Sequence, residues 1–288
     1  MTIGTNIHTY FEGTWHKGDV PIIRAADHAA WLGSTVFDGA RYFEGLTPDL
    51  LAHCERTNTS ARALLLDPTH DATDMVQIVR EGLKFFAPDA AVYIRPMYWC
   101  VDGGFSALVP KDGATSFSIC LEEMPMAAPD AAVTLTTTQF RRPVLESAVV
   151  NAKAGCLYPN NARMLAEAQR KGYHNTLVLD AMGNVAETAS SNIFMVRDGE
   201  VFTPIPNGTF LAGITRARHI KNLRADGVAV HEAVLILDDF RDADEVFMTG
   251  NMSKITPVSE FDGTHYASRK IATQARDLYW DWAHSEKA

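Results

Sequence analysis

Between Glu122 and Asp130 the chain reads Glu-Glu-Met-Pro-Met-Ala-Ala-Pro-Asp. Two prolines among small residues, set between apolar runs, suit neither a helix interior nor a central strand. A chain of 288 residues broken at this point is expected to fold as two parts, each long enough for its own core. The expected division is a small N-terminal α+β domain over residues 1–122, a linker over 123–131, and a larger C-terminal domain over 132–288 that carries Lys153.

Hydrophobic periodicity fills both parts with alternating strands and helices. His8 to Trp15 reads as a hairpin turning at Glu12-Gly13. Val36 to Phe43 alternates as a strand, and Gly39 inside it suggests a bulge or a close approach by a ligand. Asp49–Leu65 and Asp71–Phe86 read as helices, then Ala91–Trp99 and Ser116–Leu121 as strands. Arg95 sits among apolar neighbours, where a charge is costly unless paired. Beyond the linker, strands are expected at 132–138, 175–180, 185–187, 192–196, 200–203, 228–233 and 245–249. Helices are expected at 159–171, 211–225 and 268–283. Pro159 and Gly172 mark the start and stop of the first of these. Gly213-Ile214-Thr215 opens the second, and exposed amides at such a start suit an anion.

Charge and cysteine usage narrow the function. The net charge is −9, and no basic stripe is present, which argues against nucleic acid. A small anionic ligand stays open, because local arginines act inside an acidic protein. Cys54, Cys100, Cys120 and Cys156 are scattered and read as reduced thiols of a cytoplasmic protein. No secretory leader or membrane span is expected.

One stretch carries a chemical suggestion. Asn151-Ala152-Lys153-Ala154-Gly155-Cys156 places a single lysine among small residues just ahead of a helix. A lysine is ordinarily a solvated surface group. In a buried setting its charged form is disfavoured, and a neutral amine becomes a nucleophile and base able to form a Schiff base. Spacing alone leaves both readings open. No Walker loop, dinucleotide fingerprint, nucleophile elbow or histidine pair with metal-ligand spacing is present. These absences favour a lysine working with an anionic cofactor, and no metal is expected.

A set of ordered signals then carries a family resemblance. They are Val36-Phe37-Asp38-Gly39-Ala40-Arg41, His53 with Arg56 and Ser60-Ala61, Tyr93-Ile94-Arg95-Pro96, and Ala152-Lys153-Ala154-Gly155. Glu187 with Ser191-Asn192-Ile193-Phe194, Gly213-Ile214-Thr215-Arg216, and Asp244 to Gly250 with Ile255-Thr256-Pro257-Val258 complete the set. The sequence resembles the fold-type IV pyridoxal-phosphate enzymes, most closely the branched-chain amino-acid aminotransferases, from about Tyr10 to Tyr279.

The resemblance implies a two-domain α+β fold, pyridoxal 5′-phosphate as cofactor, small amino and keto acids as substrates, and a homodimer or larger assembly. It implies that Lys153 holds the cofactor and shuttles the proton, and that Glu187 pairs with the ring nitrogen. Tyr158 would bond the ring hydroxyl oxygen, and Leu211 would pack on the ring. Arg56 with the amides of Ile214 and Thr215 would hold the phosphate, completed by Thr249, Gly250 and Asn251. Phe37, Gly39, Arg41, Tyr93, Arg95, Gly250 and Met252 would line the substrate pocket, with Arg95 ahead of Arg41 for a carboxylate. Two departures touch the substrate. Leu32 stands where the family usually carries a tyrosine, and Asn251-Met252 replaces a small Thr-Ala pair. The implied reaction is transamination of branched-chain L-amino acids with 2-oxoglutarate. The same fold also serves D-amino-acid and (R)-amine transaminases and aminodeoxychorismate lyases, and a binding protein for a small anion is the non-enzymatic alternative.

Overall fold

The computed structural model describes residues 4–286. Contacts group the chain into two units, one of residues through Met126 with Asn151–Leu157, the other of Ala127–Val150 with Tyr158 onward. The Lys153 stretch therefore packs with the first unit, not with the chain that follows it in sequence.

In chain order the first unit contains β1 (Thr5–Phe11), β2 (Thr14–Lys17), α1 (His28–Leu32), β3 (Thr35–Phe37), β4 (Ala40–Tyr42), α2 (Leu50–Ala63), α3 (Ala72–Leu83), β5 (Val92–Cys100) and β6 (Thr115–Glu123). The strands form one antiparallel sheet in the order β2-β1-β6-β5-β3, with β4 also on β5. Glu12 and Gly13 both take positive φ, 49° and 81°, as a two-residue hairpin between right-twisted strands requires. In α3 the buried Met75, Val76 and Val79 make one apolar stripe.

The expected strand Val36–Phe43 is two strands. The backbone leaves the sheet at Asp38-Gly39, between β3 and β4. Asp38 turns its carboxylate into the interior, where it accepts bonds from His53 and Arg56. Gly39 lies against Tyr93, and a Cβ there would come within 2.3 Å of Tyr93 Oη. The close approach anticipated at Gly39 is thus made by the protein's own tyrosine.

The second unit contains β7 (Val133–Arg141), α4 (Tyr158–Arg170), β8 (Asn175–Leu179), β9 (Val185–Thr188), β10 (Asn192–Arg197), β11 (Glu200–Pro204), α5 (Ile214–Ala225), β12 (Val230–Ala233), α6 (Leu237–Arg241), β13 (Glu245–Gly250), β14 (Lys254–Phe261), β15 (Thr264–His265) and α7 (Lys270–Ser285). Its nine-stranded mixed sheet runs β12-β11-β10-β13-β14-β7-β8-β9, with β15 on β14. The middle of each central strand, Ile193 to Val196 of β10 and Val246 to Met248 of β13, is apolar on both faces because both are covered. Ile193 and Met195 of β10 join Val246 and Met248 of β13 in one core cluster. Phe194, Val196 and Phe247 join Ile220, Leu223, Ile271 and Ala275 of α5 and α7 in another. Phe194 and Phe247 stack with centroids 5.0 Å apart.

Polar anchors hold the helices to this sheet. The buried Glu245 carboxylate accepts bonds from Ser268 Oγ (2.7 Å) and from the amides of Ile271 (3.0 Å) and Ala272 (3.2 Å). It thereby satisfies amides that the first turn of α7 leaves without helical partners. The α+β expectation is met. Among the described residues, no helix is long and apolar enough to cross a membrane.

Candidate active site

Lys153 is half-buried beside β3. Its amide donates to Ser60 Oγ of α2 at 3.0 Å, and its carbonyl accepts from the Phe37 amide at 3.1 Å. Ala154 bridges Val36. These are backbone contacts, so the segment's path is fixed independently of its side chains. The neighbouring small residues let this chain lie close against β3. Lys153 Nζ sits 4.8 Å from the centroid of the Phe37 ring, a cation–π distance.

Beside this segment lies a buried ionic cluster. Asp38 is fully buried and takes a two-point fork from Arg56, Nε to Oδ2 at 2.6 Å and Nη2 to Oδ1 at 2.8 Å. His53 Nδ1 lies 2.8 Å from Oδ1. Burial alone would raise the Asp38 pKa, but the Arg56 guanidinium and His53 outweigh it and hold the carboxyl well below the usual carboxylate range. The arginine expected to face a phosphate is thus locked by an aspartate eighteen residues upstream.

The two other pocket arginines are also held. Arg95 of β5 pairs with Glu122 of the neighbouring strand β6. Arg41 of β4 is fully buried opposite Tyr93 of β5. Its Nη2 donates to the Met124 carbonyl at 2.7 Å, while its Nη1 is buried with no hydrogen-bond partner among the described residues. Burial pushes the Arg41 pKa down to about 10, against an opposing effect of Tyr93.

A second polar centre lies in the second unit, at the ends of β9, β10 and β13. Glu187 of β9 is buried, with Arg142 Nε 3.2 Å from Oε1 and Asn192 Nδ2 3.3 Å from Oε2. Arg142 also donates to the Thr188 carbonyl at 2.7 Å and to Asn161 Oδ1 of α4 at 2.6 Å. Tyr158 is the first residue of that helix. Asn192 continues the network, donating to the Leu211 carbonyl at 3.0 Å and accepting from the Gly213 amide at 3.1 Å. Only glycine fits at 213, since a Cβ would come within 2.2 Å of Asn192 Oδ1. Gly213 is followed directly by Ile214 and the buried Thr215 at the start of α5.

Across the β10–β13 ladder, Asn192 pairs with Thr249. Glu187, Leu211, Ile214, Thr215 and Thr249 are therefore gathered around Asn192, as the sequence signals had grouped them. Gly250, Asn251 and Met252 follow at the tip of the β13–β14 hairpin. Thr249 Oγ1 and Asn251 Nδ2 are buried there without hydrogen-bond partners among the described residues.

Residue-by-residue reading missed two members of these clusters. Arg142 lies outside the quoted motifs. Asp38 lies inside one, but its ion pair became visible only with α2 folded against β3. The Arg142–Glu187 pair gives a direct test. Under the ring-nitrogen role that the resemblance implies for Glu187, Glu187→Gln is expected to slow a single-turnover amino-transfer half-reaction about 10- to 100-fold, the worth of one charge-assisted hydrogen bond to that nitrogen. Cofactor content should stay at the wild-type level, and an unchanged rate would remove Glu187 from the chemistry.

The sheets, the lysine segment and the Glu187 centre define a class of protein, the fold-type IV transferases. The sequence pattern of the family described as "Amino-transferase class IV" matches residues 35–261. The chain belongs to that family and is an aminotransferase. It is similar to the branched-chain-amino-acid aminotransferase of Salmonella typhimurium, at 28% identity over 91% of this chain and 87% of that protein. Among solved structures it is similar to an aminotransferase from Brucella abortus bound to the cofactor PLP, at 60% identity and a TM-score of 0.95, over 97% of this chain and 99% of that one. It is also similar to a branched-chain aminotransferase from Thermoproteus uzoniensis with norvaline, at 25% identity and a TM-score of 0.88, over 98% and 96% of the two chains.

Proposed function

We propose that this aminotransferase uses pyridoxal 5′-phosphate to move the amino group of a branched-chain L-amino acid to 2-oxoglutarate. The observation that carries the reading is the buried Glu187 carboxylate, fixed from two sides by Arg142 and Asn192. A charged acceptor so held is what a protonated pyridine nitrogen needs as a partner. The donor set fits the rest of the cofactor. The amides at the start of α5, the Thr249 hydroxyl and the Asn251 amide are hydrogen-bond donors suited to a phosphate.

When bound, the cofactor supplies an electron sink that makes the substrate's Cα proton removable. The chain's residues do the remaining work. Lys153 Nζ would hold the cofactor and would take and return the proton at the substrate's Cα. Phe37 keeps one side of that amine apolar. Tyr158 would bond the ring hydroxyl oxygen, Leu211 would pack on the ring, and Arg56, mounted on Asp38, would join the phosphate donors. Gly39, Arg41, Tyr93, Arg95, Gly250 and Met252 shape the substrate side. The first keto acid leaves before the second enters, which makes the cycle ping-pong. A cytoplasmic homodimer or larger assembly completes the reading. The exposed Trp31, Phe105 and Leu108 of the first unit support it, because large apolar side chains left in water favour a covering partner.

Purified protein incubated in turn with L-leucine, D-alanine and (R)-1-phenylethylamine tests the substrate, with the cofactor's absorbance as readout. Conversion by L-leucine alone is expected. Conversion only by the D-acid or the amine would transfer the chain to those donors. Release of pyruvate from aminodeoxychorismate without any conversion would make it a lyase.

A further inference from the structure

The hairpin tip joining β13 to β14 holds a lysine in an unusual setting. Lys254 pairs with Gly250 across a three-residue loop. It takes the left-handed conformation, φ 60°, which such loops ordinarily give to glycine. A side chain with a Cβ is disfavoured there. The side chain is also 1% exposed, although lysine is among the residues least often buried. Backbone strain and burial both oppose a lysine at 254, so the local fold does not account for it.

Its contacts suggest what does. Lys254 Nζ donates to Asn251 Oδ1 at 2.6 Å, and lies 5.5 Å from the centroid of the Tyr279 ring. The buried His219 ring holds its carbonyl, Nε2 to O at 3.2 Å. An amide side chain can turn either end toward a ligand. An ammonium on the oxygen decides the matter, and Asn251 Nδ2 becomes the end left over. That nitrogen is buried with no hydrogen-bond partner among the described residues. Thr249 Oγ1, two residues earlier, is in the same state. A buried donor without an acceptor is destabilising until a ligand supplies one.

Resting on the transaminase reading above, we infer that Lys254 is a positioning residue for an oxyanion subsite at the 249–251 turn. It fixes the Asn251 amide with its N–H bonds toward the ligand and adds a buried positive charge behind them. The oxyanion is a phosphate or a substrate carboxylate, which share this chemistry.

Lys254→Met removes the charge and keeps most of the volume. Lys254→Gly removes the charge and suits the left-handed backbone, so a folded protein is available even if the methionine variant is unstable. Lys254→Arg retains a donor cation. Apoprotein of each is titrated by calorimetry with inorganic phosphate and with isovalerate, which bypasses the transamination reading. Holoenzyme is assayed for the split between KM of the amino donor and kcat, and for the affinity of pyridoxal phosphate against pyridoxal.

A phosphate subsite predicts that the methionine and glycine variants lose at least about tenfold in affinity for inorganic phosphate and pyridoxal phosphate, with pyridoxal unchanged. A carboxylate subsite predicts a similar loss for isovalerate and a rise in KM at constant kcat. The arginine variant recovers part of either loss. Affinities within twofold of wild type for both probes overturn the inference, as does an equal loss for pyridoxal and pyridoxal phosphate. A wild-type apoprotein that binds these anions but acquires no Lys153-linked cofactor retains the subsite and overturns the transaminase reading instead.

Discussion

In the proposed function Lys153 is both covalent anchor and proton shuttle, so Lys153→Ala is expected to abolish amino transfer, lowering kcat on the order of 10⁴-fold or more. The visible absorbance of the protein-linked cofactor should vanish in the same variant. The substitution leaves the fold largely alone, since the segment is tied down through its backbone. The bond to Ser60, the bond from Phe37 and the Ala154–Val36 bridge all survive loss of the side chain. The approach of Nζ to the Phe37 ring is lost, and with the backbone ties intact the melting temperature should move by no more than a few degrees. The pair of measurements separates a chemical role from a structural one. A variant with wild-type turnover would refute the assignment, and one that is inactive because it is unfolded would show a collapsed melting transition.

The same segment shows what can be read from a chain and what cannot. Patterns with a local cause were legible. The helix expected at 159–171 is α4, Tyr158–Arg170, and Gly172 ends it with φ 82°. The strands expected at 192–196 and 245–249 are β10 and β13, whose apolar middles pack on two covered faces. Determinants set by tertiary pairing were not legible. Alternation from Val36 to Phe43 says nothing of a carboxylate that turns inward to meet a helix fifteen residues on. Arg95 looks like an unpaired charge until β6 brings Glu122 beside it. The small residues around Lys153 do not announce the strand β3 that lies against them. Glu187, Leu211 and Thr249, which the resemblance named, and Gly213 of its motif lie along one network that Asn192 physically completes. The resemblance was silent on Arg142 and Lys254, whose partners lie in other elements or in a loop of unusual backbone.

The largest stability effect is expected at Asp38. Asp38→Asn keeps the size of the side chain but leaves Arg56 and His53 facing a neutral amide in a fully buried place. Breaking a buried ion pair from one side costs about 3–5 kcal/mol, a large part of the 5–15 kcal/mol that typically separates folded from unfolded chains. The variant should therefore unfold at clearly lower denaturant concentration. The pH dependence gives the loss a signature. The native Asp38 carboxyl titrates below its unfolded value despite its burial, because Arg56 and His53 hold the charge. Its contribution is complete above the unfolded carboxyl pKa of about 3.9 and is lost as pH falls through the depressed native value. Wild-type and Asp38→Asn stabilities should thus differ most near neutrality and converge in acid. Arg56 loses its mount in the same variant, so under its proposed phosphate role weaker binding of pyridoxal phosphate with unchanged binding of pyridoxal is expected alongside the lower stability. Denaturant melts at a series of pH values measure the first effect, and equilibrium dialysis of the two vitamers measures the second. A gap that stays constant down to strong acid would mean that Asp38 acts through its shape and not through its charge.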